Sequence, residues 1–167
     1  QRDFQQDMRD FVERISVDAR AAQPGFLIIP QNGQELLTDS GDPGGVINAA
    51  YKAAIDGSGR EDLFYGYEED NVATPSADRD YLLSLTDLWE ANDLAVLVTD
   101  YCSTQNFMAD SYTQNEAKGY ASFAADEREL FDIPDYPPTP HNMNSDDITA
   151  LSEVRNFLYL INPSDFS

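Results

Sequence analysis

Lysine, cysteine, histidine and long apolar runs are scarce in this sequence, and each shortage closes off a class of function. The 167 residues carry 10 Lys+Arg against 31 Asp+Glu, a formal net charge of −21, and Lys52 and Lys118 are the only lysines. A surface of that sign repels phosphate backbones, so nucleic-acid binding driven by counterion release is excluded. An anionic membrane surface repels it in the same way. Cys102 is the single cysteine, so neither a disulfide nor a paired-cysteine metal site can form within the chain. His141 is the single histidine; multi-His zinc sites are therefore ruled out, and a Ser-His-Asp triad would hang on one residue in a proline-rich stretch. The longest apolar runs, Phe26 to Pro30 and Leu94 to Thr99, are too short to cross a bilayer, and no membrane insertion is expected. Gln1, Arg2 and Asp3 do not begin a signal peptide, so the start reads as processed or trimmed.

What is present supports a core. A hydrophobic share of 41% and an aromatic share of 11% suit a folded domain of ordinary size. The acidity fits salt-rich surroundings, where screening contracts to about 3 Å at 1 M, or a cationic partner.

Phe4, Met8, Phe11, Val12, Ile15 and Ala19 recur at steps of three and four and predict an amphipathic helix over about 3–22, ended by Pro24-Gly25. Gly25 to Pro30 is continuously apolar, the pattern of a strand covered on both faces. Val46 to Ala54 is helix-compatible, and Ile55-Asp56-Gly57-Ser58-Gly59 reads as a strand end opening into a loop. A helix from Pro75 through Trp89, a strand at Leu94 to Thr99, a helix at Thr104 to Ala117 and a strand at Gly119 to Ala124 follow. Ile133 to Pro140 is too proline-rich for either element and reads as an extended connector. Ser145-Asp146-Asp147 reads as a helix cap, and Asn156 to Ile161 as a final strand with the polar exit Asn162-Pro163-Ser164.

Repeated strand, loop and helix predict an α/β architecture with a parallel sheet. Chemistry in such folds gathers at the carboxyl ends of the strands, which selects Asn32, Asp56, Glu61, Asp100 and Asp126.

Three blocks, Phe26 to Gly33, Ala54 to Gly66 and Val96 to Tyr101, together resemble glycoside hydrolase family 114 in their order. That family comprises endo-α-1,4-polygalactosaminidases and related polysaccharide hydrolases on a (β/α)8 TIM-type barrel. The resemblance implies that residues 1–133 supply strands five to eight, 134–144 a Pro-rich connector, and 145–167 a cap helix and first-strand segment. It therefore implies a permuted member, about half a barrel, whose remaining half follows Ser167. The implied protein is secreted or periplasmic, and its partners are a polysaccharide substrate, cationic if deacetylated, and the remaining half of the barrel.

Glycosidic cleavage needs two carboxyl groups, about 5–5.5 Å apart for retention or about 6.5–9.5 Å for inversion, one of them protonated. Glu61, in Gly-x-Gly-Arg-Glu, is the first candidate acid/base; otherwise it decorates a surface turn. Asp56 is the second, tuning Glu61 by like-charge repulsion or binding sugar hydroxyls, unless it merely forms an Asp-Gly turn. Asn32, Asp100, Tyr101 and Tyr65 are candidate substrate-binding residues; their structural alternatives are turn formation, satisfaction of loop amides and packing. The family's other carboxylate belongs to a Tyr-Leu-Asp block that is absent here, so this chain alone is expected to be inactive. No cofactor is expected, and the acidic loops at Asp39, Asp42 and Glu68 to Asp70 match no EF-hand spacing, so no metal site is assigned. The alternative function is a noncatalytic carbohydrate-binding or surface-assembly protein on a degenerate barrel.

Overall fold

The computed structural model describes residues 2–161. Helix α1 (Phe4–Ala22) begins where the Asp3 side chain accepts the Gln6 N–H at 3.1 Å. After an extended segment and a 3-10 turn (Gln34–Leu37) come α2 (Ala49–Ala54), β1 (Gly57–Glu61), α3 (Ser76–Glu90), β2 (Ala95–Tyr101), α4 (Gln105–Ala117) and β3 (Ala121–Ala125). The three strands are parallel in the order β1-β2-β3, with Glu61 level with Thr99 and Thr99 level with Phe123. This is an α/β fold with a parallel sheet, as the alternation of elements predicts.

Two extended segments flank the strands. Backbone N–H groups of Asp56 and Gly59 donate to Ile28 O and Pro30 O at 2.9 and 2.8 Å, and Asn32 N–H donates to Gly59 O at 2.7 Å. Residues 26–32 thus run along β1, joined by a parallel bridge at Gln31. Pro30 has no N–H to extend the ladder. At the other side, Asn156 bridges Ser122 of β3 in parallel.

The two faces differ. Val96 and Val98 point to a core shared with Leu82 and Trp89 of α3 and Met108 and Tyr112 of α4. By strand alternation, Tyr101, Phe123 and Ala125 point the other way, and the cluster they form with Leu130, Phe157 and Tyr159 draws on no helix among the described residues. Trp89 is fully buried and donates its indole N–H to Gln34 O at 2.9 Å, tying α3 to the 3-10 turn.

Several expectations need correction. The apolar stripe of α1 does not face this core: Phe4 is 74% and Phe11 60% exposed, with Met8 and Ile15 also exposed, while Val12 and Ala19 pack inward. Arg9 is buried on that helix instead, donating Nε to Leu36 O at 2.9 Å and Nη2 to Thr38 O. The run Phe26 to Pro30 is not covered on both faces; Phe26, Leu27 and Ile29 are exposed because the segment lies at the sheet edge. The glycine-rich stretch read as a loop is the body of β1. A Cβ on Gly57 would lie 2.7 Å from Ala95 O, and one on Gly59 would strike the Gln31 side chain, so glycine permits the close approach. Ser145-Asp146-Asp147 caps no helix among the described residues; a 3-10 turn occupies Leu151–Glu153, where Glu153 accepts the Thr149 and Ala150 N–H groups. The exit Asn162-Pro163-Ser164 lies outside the described residues. Among the described residues, no helix is long and apolar enough to cross a membrane.

Candidate functional site

Glu61 is the last residue of β1 and faces the side of the sheet opposite the helices. Tyr101, ending β2, donates its phenol to Glu61 Oε1 at 2.6 Å, and Asn32 Nδ2 donates to Oε2 at 3.0 Å. The Asn32 amide cannot flip freely, because its Oδ1 accepts the Glu61 backbone N–H at 3.1 Å. Asn32 itself takes a left-handed conformation, φ 58°, which asparagine tolerates. Burial pushes the Glu61 carboxyl up, but hydrogen bonds from Tyr101, Asn32 and Gln31 and the charge of Arg128 outweigh it, holding the group below the ordinary glutamate range. Glu61 is therefore an oriented, ionised carboxylate.

This differs from the environment expected for an acid kept protonated by a neighbouring carboxylate. Asp56 precedes β1 and stands at its amino end, five residues from Glu61, or about 16 Å at strand rise. There it accepts the Ile28 N–H at 2.7 Å and pairs with Arg20 at 2.8 Å. Asp56 links α1, the edge segment and β1, and it cannot tune Glu61 or share its substrate. Asp56→Ala is expected to cost about 1 kcal/mol, since the pair is partly exposed, and to leave the Glu61 titration unchanged. Urea midpoints and carboxylate NMR titration check the two halves of that statement.

Asp100 is corrected as well. It is fully buried, accepting Phe64 N–H at 2.9 Å, Tyr65 N–H at 3.3 Å, Ser111 Oγ–H at 2.6 Å and Asn115 Nδ2–H at 3.2 Å. It fastens the loop after β1 to α4 and offers nothing to a substrate. Tyr65 turns toward α4 too, donating to Asp110 Oδ2 at 2.7 Å and stacking on Phe107 with centroids 5.2 Å apart. Tyr101 is buried, so its ring is no open platform for a sugar; its contribution is the hydroxyl on Glu61. Of the six candidate residues, the structure brings together Glu61, Asn32 and Tyr101.

Sequence reasoning missed Arg128. It follows β3, its guanidinium carbon lies 4.0 Å over the Tyr101 ring centroid, and it pairs with Asp62 at 2.9 Å and Asp70 at 2.6 Å. The signal that could have found it was its isolation as a cation within Asp126-Glu127-Arg128-Glu129. Asp126, also named by the strand-end rule, follows β3 directly; desolvation, with Asp132 and Asp135 nearby, pushes its carboxyl up.

Other reactive groups are quiet. Cys102 is buried, and burial with the charges of Asp100 and Asp110 drives its thiol far above the usual range. His141 stacks on Tyr112 at 4.5 Å and lies 3.3 Å from Glu116, away from Glu61. Among the described residues, no three His, Cys, Asp or Glu side chains are grouped to hold a metal ion. A cavity of about 420 Å³ opens at the amino ends of the strands, bordered by Asp56, Ala95, Ala121 and Leu151, and does not reach Glu61.

No family model matches the chain. It is similar to a protein of Deinococcus radiodurans described as an uncharacterized protein, 31% identical over 120 residues, covering 72% of this chain and 35% of that protein. The chain thus spans about one third of the length of the relative it matches.

Proposed function

We propose that this chain carries the carboxylate half of a polysaccharide-hydrolase site, acting on an α-linked amino-sugar polymer of the polygalactosaminidase type. The observation that carries the reading is Glu61: an ionised carboxylate at the carboxyl end of a parallel strand, oriented by Tyr101 and Asn32 on the face away from the helices. Deprotonated at neutral pH, Glu61 serves as nucleophile in a retaining reaction or as base toward water in an inverting one. The proton donor is a second carboxyl outside Asp56 and Asp100. A cationic, deacetylated glycan suits a chain of net charge −21.

The site belongs to a half-barrel whose sheet is completed by further polypeptide. Support comes from strands in consecutive parallel order, helices packed on one face, the exposed stripe of α1 and the exposed Phe26, Leu27 and Ile29. The Deinococcus relative has room for such polypeptide, the match covering 35% of it. Phe11→Ser and Leu27→Ser are expected to cost at most about 0.5 kcal/mol in the 167-residue chain, where both side chains are exposed. In a form extended beyond Ser167 each is expected to cost about 2–4 kcal/mol, because the same side chains become core. Equal, small shifts in urea midpoint in both forms would remove the half-barrel reading.

The function itself is tested by mass spectrometry of α-1,4-linked galactosamine oligomers incubated with each form. Products from the extended form alone are expected. Turnover by the 167 residues alone would overturn the division of the site, and no turnover by either form would overturn the hydrolase reading.

A further inference from the structure

We propose that Arg128 is a positioning residue for Glu61, acting through Tyr101: its guanidinium holds the phenol ring at the angle from which the hydroxyl reaches Oε1. The inference deepens the reading of Glu61 as the reactive carboxylate, on which it rests.

Separate segments meet at this one side chain. Arg128 comes from beyond β3; its Nε donates to Asp70 Oδ1 at 2.8 Å and its Nη2 to Asp62 Oδ1 and Gly66 O, each at 2.9 Å, all in the loop after β1. The guanidinium then covers the Tyr101 ring at the end of β2. Gly66, at φ +110°, makes the meeting possible: a Cβ there would lie 3.1 Å from Tyr101 Cβ and 3.2 Å from Arg128 Nη2. The ion pairs themselves stabilise little, since Arg128 is 42% and Asp70 46% exposed and solvent screens them. Beside the charge it places near Glu61, the contribution left to Arg128 is the orientation of the Tyr101 ring. A planar fork bonded on one edge and stacked on a ring fixes that ring in a way a flexible ammonium does not. Tyr101, so fixed, donates to Glu61 at 2.6 Å. The charged groups around Glu61 are Arg128, Asp62 and Arg60, with Tyr101, Asn32 and Gln31 as its neutral donors.

The test needs no substrate. Carbon-13 carboxylate NMR of the 167-residue chain, with the Glu61 signal identified by its loss in Glu61→Gln, gives the Glu61 titration midpoint. Arg128→Gln is expected to move that midpoint up, as Tyr101→Phe does, and to move it less in a Tyr101→Phe background than in the wild type. Equal shifts in the two backgrounds would mean that Arg128 acts by charge alone and would overturn the proposal, as would no shift at all. Arg128→Lys guards against loss of folding: it keeps a cation beside Asp62 and Asp70 but no plane over Tyr101. An upward midpoint with Lys supports positioning, and a wild-type midpoint overturns it. Failure of the hydrolase assay would leave these titrations standing, so the two readings fail separately.

Discussion

Glu61→Gln is expected to lower turnover of α-linked galactosamine polymer, the activity proposed for a form extended beyond Ser167, about 10²–10⁴-fold, the range for loss of a positioned acid or base. Affinity for the glycan should fall far less. The surroundings tolerate the substitution for a definite reason. Asn32 is locked by the backbone N–H of residue 61, so its Nδ2 requires an acceptor, and the side-chain oxygen of the substituted glutamine, turned toward it, supplies one. The new amide N–H₂ then faces the Tyr101 hydroxyl, which can rotate to accept. Folding is thus preserved and the measured loss belongs to chemistry. Tyr101→Phe gives the companion result. Without the phenol donor the Glu61 carboxyl protonates at higher pH, and because a nucleophile or base must be deprotonated, the acid limb of the rate profile moves upward. Turnover retained in Glu61→Gln would end the assignment; a pH profile unmoved in Tyr101→Phe would show that the hydrogen bond does not control it.

The largest stability effect is expected at Asp100. Asp100→Ala strands two backbone N–H groups, the Ser111 hydroxyl and the Asn115 amide in a buried site, at an expected cost of about 3–5 kcal/mol. Asp100→Asn should cost much less, since an amide keeps an oxygen for the Phe64 and Tyr65 N–H groups. Its own N–H₂ then faces the Ser111 hydroxyl, which can rotate to accept, and Asn115 Nδ2, a donor that keeps its bond to Ser111 O at 2.9 Å. Urea midpoints of the two variants check the order. The pH dependence runs against the usual aspartate pattern. Burial raises the Asp100 carboxyl above the ordinary range despite its four donors. The folded state then holds this proton more tightly than the unfolded chain does. Stability from this group is greatest at low pH and declines as pH rises from the unfolded value, about 3.9, through the raised folded one. Subtracting the Asp100→Asn stability curve from the wild-type curve isolates that slope; a difference that grows with pH would reverse the assignment.

The candidate site was half legible in the sequence. The rule that chemistry lies at carboxyl ends of strands selected both Glu61 and Asn32, which the structure places in contact although they are 29 positions apart. The same rule failed for Asp56 because the strand expected to end there only begins at Gly57, which puts Asp56 at the amino end. Gly57 and Gly59 looked like loop residues until their contacts with Ala95 and Gln31 showed why a strand there must lack side chains. Asp100 failed by strand length: β2 runs on to Tyr101, so alternation turns Asp100 toward α4 and Tyr101 toward Glu61.

Composition and local pattern by themselves determined that the chain is acidic, lacks internal disulfides, alternates helix with parallel strand and breaks that pattern at the Pro-rich stretch. These are properties of residue type and short-range spacing, which the chain carries whatever it packs against. Tertiary structure alone decided which carboxylate is held by Tyr101 and Asn32, which are buried fasteners, and which apolar stripe is left uncovered. The stripe of α1 has the same period whether it meets a core or solvent, and 31 carboxylates look alike until strand register puts one of them against Tyr101. Sign and period are written in the chain; the partner across a strand or loop is set only when distant segments close on one another.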